Sequence, residues 1–305
     1  MAAKQGRKIA VVGGSGNIGT PTIAALLAKG VHTITAISRA ESTAAFPKEV
    51  IVKRGSYEDE SFLLSALQGQ DALVLLLGIQ AMPLQEVFIR AAAKAGVTWV
   101  LPTEFGSDIA PSKLWAESPM LQAKQTYRDL SEELGLKWVA IVTNPFLDMT
   151  LPLGAWGVDF KNRTAKLYDG GNTKMITTTI EAAGRGTSGV LSLPETELAE
   201  FENSAVYLQS FRISQRDLLD SAYRITGTTE ADWKTEVVDA AETVKAANAE
   251  AAKGNHMAGL TAFFVNHLRE GYGGDYGEKV GDLDKLDIDP EDLDRVVKKT
   301  IEKVQ

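Results

Sequence analysis

The sequence contains no cysteine, which excludes a disulfide framework, thiol catalysis and any thiolate-held zinc or iron–sulfur site. Histidine is nearly as scarce. His32, His256 and His267 are the three in the chain, too scattered for a metal cluster; His32 falls in the turn after Gly30, and the other two read as surface or lid residues. Long apolar runs are missing as well, since the longest, residues 72–79, has the length of a strand and not the ~18 residues of a membrane helix. Positive charge is in deficit. With 32 Lys and Arg against 40 Asp and Glu, the net charge is −8, which argues against nucleic acid as a main partner but leaves room for a local basic pocket holding one small anion. Lys4, Arg7 and Lys8 open like a signal peptide, yet the apolar stretch after them stops at Gly13-Gly14 without a small-residue cleavage site. The expectation is a cytoplasmic protein, a monomer or homodimer acting on a small molecule, with no membrane partner.

What is present is the composition of an ordinary globular protein, 305 residues with 44% hydrophobic and 24% charged, long enough for about two domains and a large core. The first half alternates β-branched runs with amphipathic stretches. Strands are predicted at 8–12, 33–37, 50–53, 72–77, 99–101 and 138–142, and helices at 18–29, 59–67, 84–95 and 121–134, with Gly30, Gly96 and Gly135 as stops. Such alternation predicts an α/β fold: a doubly wound parallel, Rossmann-type sheet over 1–150. Beyond Pro145 the pattern loosens. Short β-like pieces at 164–168, 174–178 and 205–208 mix with helices at 180–191 and 215–226, a polar Ala-rich stretch at 230–253, and 257–270, which carries Leu260, Phe263, Phe264 and Leu268 on one face. A last helix is expected with Asp289 as N-cap and Pro290 at its first position, while 282–294 reads as solvated acidic surface. Residues 151–305 are expected to form mainly a smaller mixed α/β lobe capping the substrate, with 175–210 returning to the sheet.

The strongest local signal is Gly13-Gly14-Ser15-Gly16-Asn17-Ile18-Gly19, between the first strand and the first helix. Glycines at 13, 16 and 19 allow a tight turn, close approach to a pyrophosphate and close helix packing, and the helix N-terminus adds N–H donors. The second strand ends Ile37-Ser38-Arg39, with no acid before Glu41. A carboxylate there would suit the ribose 2′-hydroxyl of NAD, whereas Arg39 suits the 2′-phosphate of NADP(H); the plainer alternative is a solvated arginine. Lys53 and Arg54 could assist but read as ordinary surface charges. Thr103-Glu104-Phe105-Gly106 ends another strand, where open sheets bind ligands. Phe105 could wall a nicotinamide pocket or belong to the core, and Glu104 reads, by a small margin, as a structural ion-pair partner.

Taken in order, these motifs resemble the isoflavone reductase-like and NmrA-like group of atypical short-chain dehydrogenase/reductases. The resemblance covers most of the chain. It rests on the GxxGxxG of Gly13 to Gly19, on Gly55-Ser56-Tyr57, on Leu77-Gly78, on Ala91 to Val97 running into Leu101-Pro102-Thr103-Glu104-Phe105-Gly106, on Lys124, on Gly135 to Phe146, on Asn203-Ser204-Ala205 and on Ile213-Ser214-Gln215. It implies an NADPH-dependent reductase of a small aromatic substrate, acting at a C=C, C=O or benzylic ether. The cofactor-side residues are Gly13, Ser15, Gly16, Asn17, Ile18, Gly19, Arg39, Gly78, Thr103 and Phe105, and Phe146 is expected in the substrate pocket; His256, with Met257, Phe263 and Phe264, could face an aromatic substrate from a capping lobe, although an apolar helical stripe is more often core. No tyrosine has a lysine four residues on, and Met120 stands four before Lys124, so the tyrosine mechanism of main-group short-chain enzymes is absent. The resemblance implies instead that Lys124 acts alone as acid/base or carbonyl polariser; read by itself, it is a solvated helix lysine. Ala183 and Tyr57 depart from the group's usual pattern and leave open a second reading, a non-catalytic NADP(H)-binding redox sensor that signals through a protein partner.

Overall fold

The computed structural model describes residues 5–304; Lys4 lies outside them. The first half contains strands β1 (Lys8–Val12), β2 (Thr33–Arg39), β3 (Ile51–Gly55), β4 (Ala72–Leu75), β5 (Trp99–Leu101) and β6 (Lys137–Val142). Between them lie helices α1 (Gly19–Ala28), α2 (Glu60–Leu67), α3 (Gln85–Ala95), α4 (Lys113–Ala116) and α5 (Pro119–Glu133). Local chemistry sets the helix ends. Asp59 and Ser118 cap α2 and α5 by accepting from Phe62 N and Leu121 N, and left-handed Gly96 and Gly135 follow α3 and α5 at φ 76° and 75°. The fourth strand ends at Leu75, two residues earlier than expected: Leu76 N still donates to Val12 O at 3.0 Å, and the chain then runs through Leu77 and Gly78 into the 3-10 helix Ile79–Leu84.

The second half comprises α6 (Leu147–Thr150), β7 (Val158–Asp159), β8 (Thr164–Tyr168), β9 (Met175–Thr177), α7 (Ile180–Ser192), α8 (Glu195–Leu198), β10 (Ser204–Tyr207), β11 (Phe211–Ile213), α9 (Gln215–Thr226), β12 (Lys234–Val238), α10 (Ala240–Ala251), α11 (His256–His267) and α12 (Leu293–Val304). Seven parallel strands make the main sheet, in the order β10-β6-β5-β4-β1-β2-β3. One face packs on α1 and α7 through Ile23, Leu26, Ala182, Val190 and Leu191, and the other on α2 and α3 through Leu63, Leu67, Phe88 and Ile89. Both faces are covered, which is why the strands read as continuous apolar runs. The order reverses at β1, between β2 and β4, so the crevice for a ligand opens beyond the carboxyl ends of β1 and β4. A second core, with Trp156, Leu218, Trp233, Phe264 and Val297, holds the smaller lobe around the β12-β8-β7 sheet and α9 to α12.

Four expectations for the second half need correction. The stretch 230–253 contains a strand, β12, whose alternation is hidden because its first four residues are solvent-exposed, and it pairs in parallel with β8. The last helix starts at Leu293 and not beside Pro290: Glu291 is held by the Thr179 and Ser210 hydroxyls, and the Asp292 carbonyl accepts the first bond, from Val296 N. The acidic segment before it is no mere solvated surface, since Leu286 and Ile288 are buried in the core of the main sheet against α7. On α11, Leu260 is 47% exposed, whereas Phe264 and Leu268 are buried.

Candidate active site

Each glycine of the loop after β1 has a distinct geometry. Gly13 has φ 80°, and a side chain there would strike the Leu76 carbonyl at the end of β4; one on Gly19 would strike the Gly13 carbonyl. These two are required by the fold's own backbone. Gly16 donates to Gly13 O at 2.9 Å, and Ser15, Gly16 and Asn17 form an exposed rim with Ile18 half-buried beneath it. Gly78, beyond β4, is exposed, and a Cβ there would meet nothing within 4 Å. An open rim of backbone at a helix N-terminus fits a dinucleotide's diphosphate. At the end of β2, Arg39 is 68% exposed and touches Glu41 at 3.3 Å. Lys53 and Arg54 are engaged elsewhere, the first with Ser65 O and the second with Ser42 O and Ala44 O, so Arg39 is the better placed cation. Tyr57 packs edge-on against Phe88 at 4.8 Å and donates to Ile37 O.

Two strand spacings, about 10 Å, separate the end of β1 from that of β5. Thr103 links the intermediate steps, its hydroxyl donating to Leu75 O at 3.0 Å and accepting from Leu77 N. Next comes Phe105, at φ 28°, an uncommon value for a bulky residue and one that costs about 1–3 kcal/mol. The turn is pinned where Thr143 N and Asn144 N donate to Gly106 O at 3.0 and 2.9 Å. Lys124, on α5, reaches this turn. Its side chain is 10% exposed, Nζ donates to the Glu104 carbonyl oxygen, and the Glu104 carboxylate lies 3.6 Å away while ion-paired to buried Arg128. Burial pushes the Lys124 ammonium below its ordinary value, Glu104 opposes the shift, and Arg128 adds to it.

Residues 13–155 match a family model described as NAD(P)H-binding. The oxidoreductase aprR of Aspergillus flavus is 31% identical over 278 residues, 88% of this chain and 90% of its own. The chain belongs to the isoflavone reductase-like, NmrA-like group of atypical short-chain dehydrogenase/reductases. The isoflavone reductase homolog IRL of Zea mays is 28% identical over 162 residues, 49% of this chain and 52% of its own. Among solved structures, AtPrR2 with NADP+ and (+)pinoresinol superposes with a TM-score of 0.79 at 22% identity, covering 97% of this chain and 99% of that one. As a member of this group the chain is an NAD(P)H-binding oxidoreductase.

Within this reductase fold, the structure gathers Thr103, Phe105 and Lys124 at the end of β5 but does not bring in every residue expected to face substrate. Phe146 is buried in the same core cluster as Phe105. Phe263 is half-buried and meets His267 edge-on at 4.8 Å. His256 is exposed at the start of α11, roughly 16 Å along the helix from His267. His267 corrects the expectation of a surface or lid residue: it is fully buried and hydrogen-bonded at 2.7 Å to Ser107, itself 4% exposed. Sequence reasoning passed over that pair because its members are 160 residues apart. The available signal was the adjacency of Ser107 to the Thr103–Gly106 motif.

Proposed function

We propose that this chain is an NADPH-dependent reductase of a small aromatic substrate carrying a C=C, C=O or benzylic ether group. The observation that carries the reading is Lys124: an ammonium taken out of water by a helix and aimed at the turn ending β5, next to a glycine loop fit for a diphosphate. NADPH, when bound, supplies hydride. Arg39 supports the phosphorylated cofactor, since an exposed guanidinium can make forked, charge-assisted bonds to a 2′-phosphate and has little to offer a ribose hydroxyl. Lys124 would donate a proton to, or neutralise negative charge on, the substrate atom that becomes electron-rich; its lowered pKa makes it a stronger acid than a solvated lysine. Gln85 supports the same turn by accepting from Thr103 N at 2.7 Å. AtPrR2, solved with NADP+ and (+)pinoresinol, lends weight to an aromatic substrate.

The test is a fluorescence titration with NADPH and NADH, then a screen of aromatic enones, aldehydes and lignan-like ethers for NADPH consumption. Lys124→Ala should lower kcat by about 100-fold or more while leaving the NADPH Kd within a few-fold; unaffected turnover would end the lysine role. Arg39→Ala should weaken NADPH by about tenfold or more and NADH little; equal effects would refute the phosphate contact. Tight NADPH binding with no turnover on any substrate would overturn the reductase reading in favour of a redox sensor.

A further inference from the structure

Ser107 and His267 are hydrogen-bonded at 2.7 Å where neither meets water. The imidazole's other nitrogen, Nδ1, lies 2.9 Å from the Phe263 carbonyl oxygen, which can only accept. Nδ1 therefore carries the ring proton, and Nε2 accepts from the Ser107 hydroxyl. Ser107 closes the turn that begins at Glu104. That turn supplies the carbonyl oxygen to which Lys124 Nζ donates, and a Cβ built on Gly106 would stand 3.6 Å from the same Nζ. With Phe105 at φ 28°, the turn keeps its shape only while held from outside. The backbone after β6 holds it on one side, through Thr143 N and Asn144 N on Gly106 O. On the other side the hold comes from the smaller lobe.

We infer that His267 is a positioning residue for Lys124: as a neutral acceptor at the end of α11 it fixes Ser107, and with it the strained Glu104–Ser107 turn on which the lysine's ammonium rests. The arrangement makes the reacting end of the sheet depend on the docking of α11, through a residue closed off from solvent. The inference rests on the proposed role of Lys124 for its effect on turnover, but not for its effect on where the ammonium sits.

The experiment uses the full chain and acetic anhydride, reading Lys124 acetylation by peptide mass spectrometry, with Lys29 as a second shielded lysine, 10% exposed and paired with Asp287. Ser107→Ala and His267→Leu should raise the Lys124 rate about fivefold, leave Lys29 at its wild-type rate and leave the NADPH Kd within about twofold. His267→Gln keeps an acceptor near the position of Nε2 and should restore most of the protection. Should His267→Leu fail to fold, Ser107→Ala alone decides. Wild-type acetylation of Lys124 in Ser107→Ala overturns the inference, as does a parallel rise at Lys29, which signals general loosening. A His267→Gln variant as reactive as His267→Leu removes the acceptor argument. On any substrate from the screen, kcat should fall about tenfold in Ser107→Ala with KM little changed. If Lys124→Ala retains full turnover, the lysine's chemical role falls while the acetylation result still judges its positioning.

Discussion

Lys124 shows how one buried charge is kept on a salt bridge it has to share. The Glu104 carboxylate is committed mainly to Arg128, whose guanidinium also donates to Gln125 Oε1 at 2.5 Å and lies over the Trp138 ring at 5.7 Å. Lys124 is left with a carbonyl oxygen and a carboxylate at 3.6 Å, enough to orient an ammonium and too little to hold its proton as firmly as water would. This could not be read from the sequence, where a lysine on a polar helix looks solvated, although the resemblance of its surroundings singled it out. His267 was only half legible: it lies three and four residues after Phe264 and Phe263 on the apolar face of its helix, which marks it as facing inward, but its partner is remote in the chain. It carries a pH consequence whose sign follows from burial. Desolvation holds His267 near 4 in the fold against an ordinary 6.5, so the unfolded chain takes up a proton first as the pH falls. Stability is complete above about pH 6.5 and is lost towards pH 4; between pH 7 and 5 the loss from this residue should be about 2 kcal/mol. Urea unfolding at the two pH values should show it, and His267→Gln should reduce the difference. His32, also lowered to about 4, adds a slope of the same sign that this substitution leaves in place.

Among the elements, α1 and α7 pack backbone against backbone on their face of the sheet. A Cβ on Gly184 would sit 2.8 Å from Pro21 C and 2.9 Å from Thr22 N, and backbone atoms cannot swing aside as a side-chain tip can. Gly184→Ala should therefore cost about 1–3 kcal/mol, seen as a drop of several degrees in Tm. Gly259→Ala, in α11, is the matched control, with its Cβ only in ordinary contact with Ala251 at 3.6 Å. It should stabilise slightly by removing chain entropy. The elements of the first half were legible because glycines punctuate them and their periodicity is unbroken; β1 and β5 fall where the sequence places them. In the second half the signals conflict. β12 is a strand with one solvent-facing run, and Asp289-Pro290 carries every mark of a helix start, but the next residue, Glu291, is held by the Thr179 and Ser210 hydroxyls, contacts that local chemistry cannot foretell.

For the molecule as a whole, the stretch after residue 281 matters most, because it crosses the main sheet's helices before α12 returns to pack on α9. Leu286 runs over Gly189, where a side chain would strike its carbonyl, and Ile288 reaches the same core. Lys29 pairs with Asp287, and Lys285 with Glu197 at 2.6 Å. One segment thus belongs to both cores. Ile288→Ala should cost about 2–5 kcal/mol, and hydrogen exchange should accelerate in 180–192 and 293–304 together; a rise confined to one would show that the halves do not unfold as a unit. The same crossing sets a timetable for the nascent chain. The face of β5 and β6 that α7 covers is made long before its cover, and the residues that lock α7 in place come later still. At roughly 5–20 residues per second, the ribosome needs about 7–30 s to travel from the end of β6 to Ile288. During that interval the face of the sheet that α7 will cover stays open, so the last residues made on this face are the ones that close it.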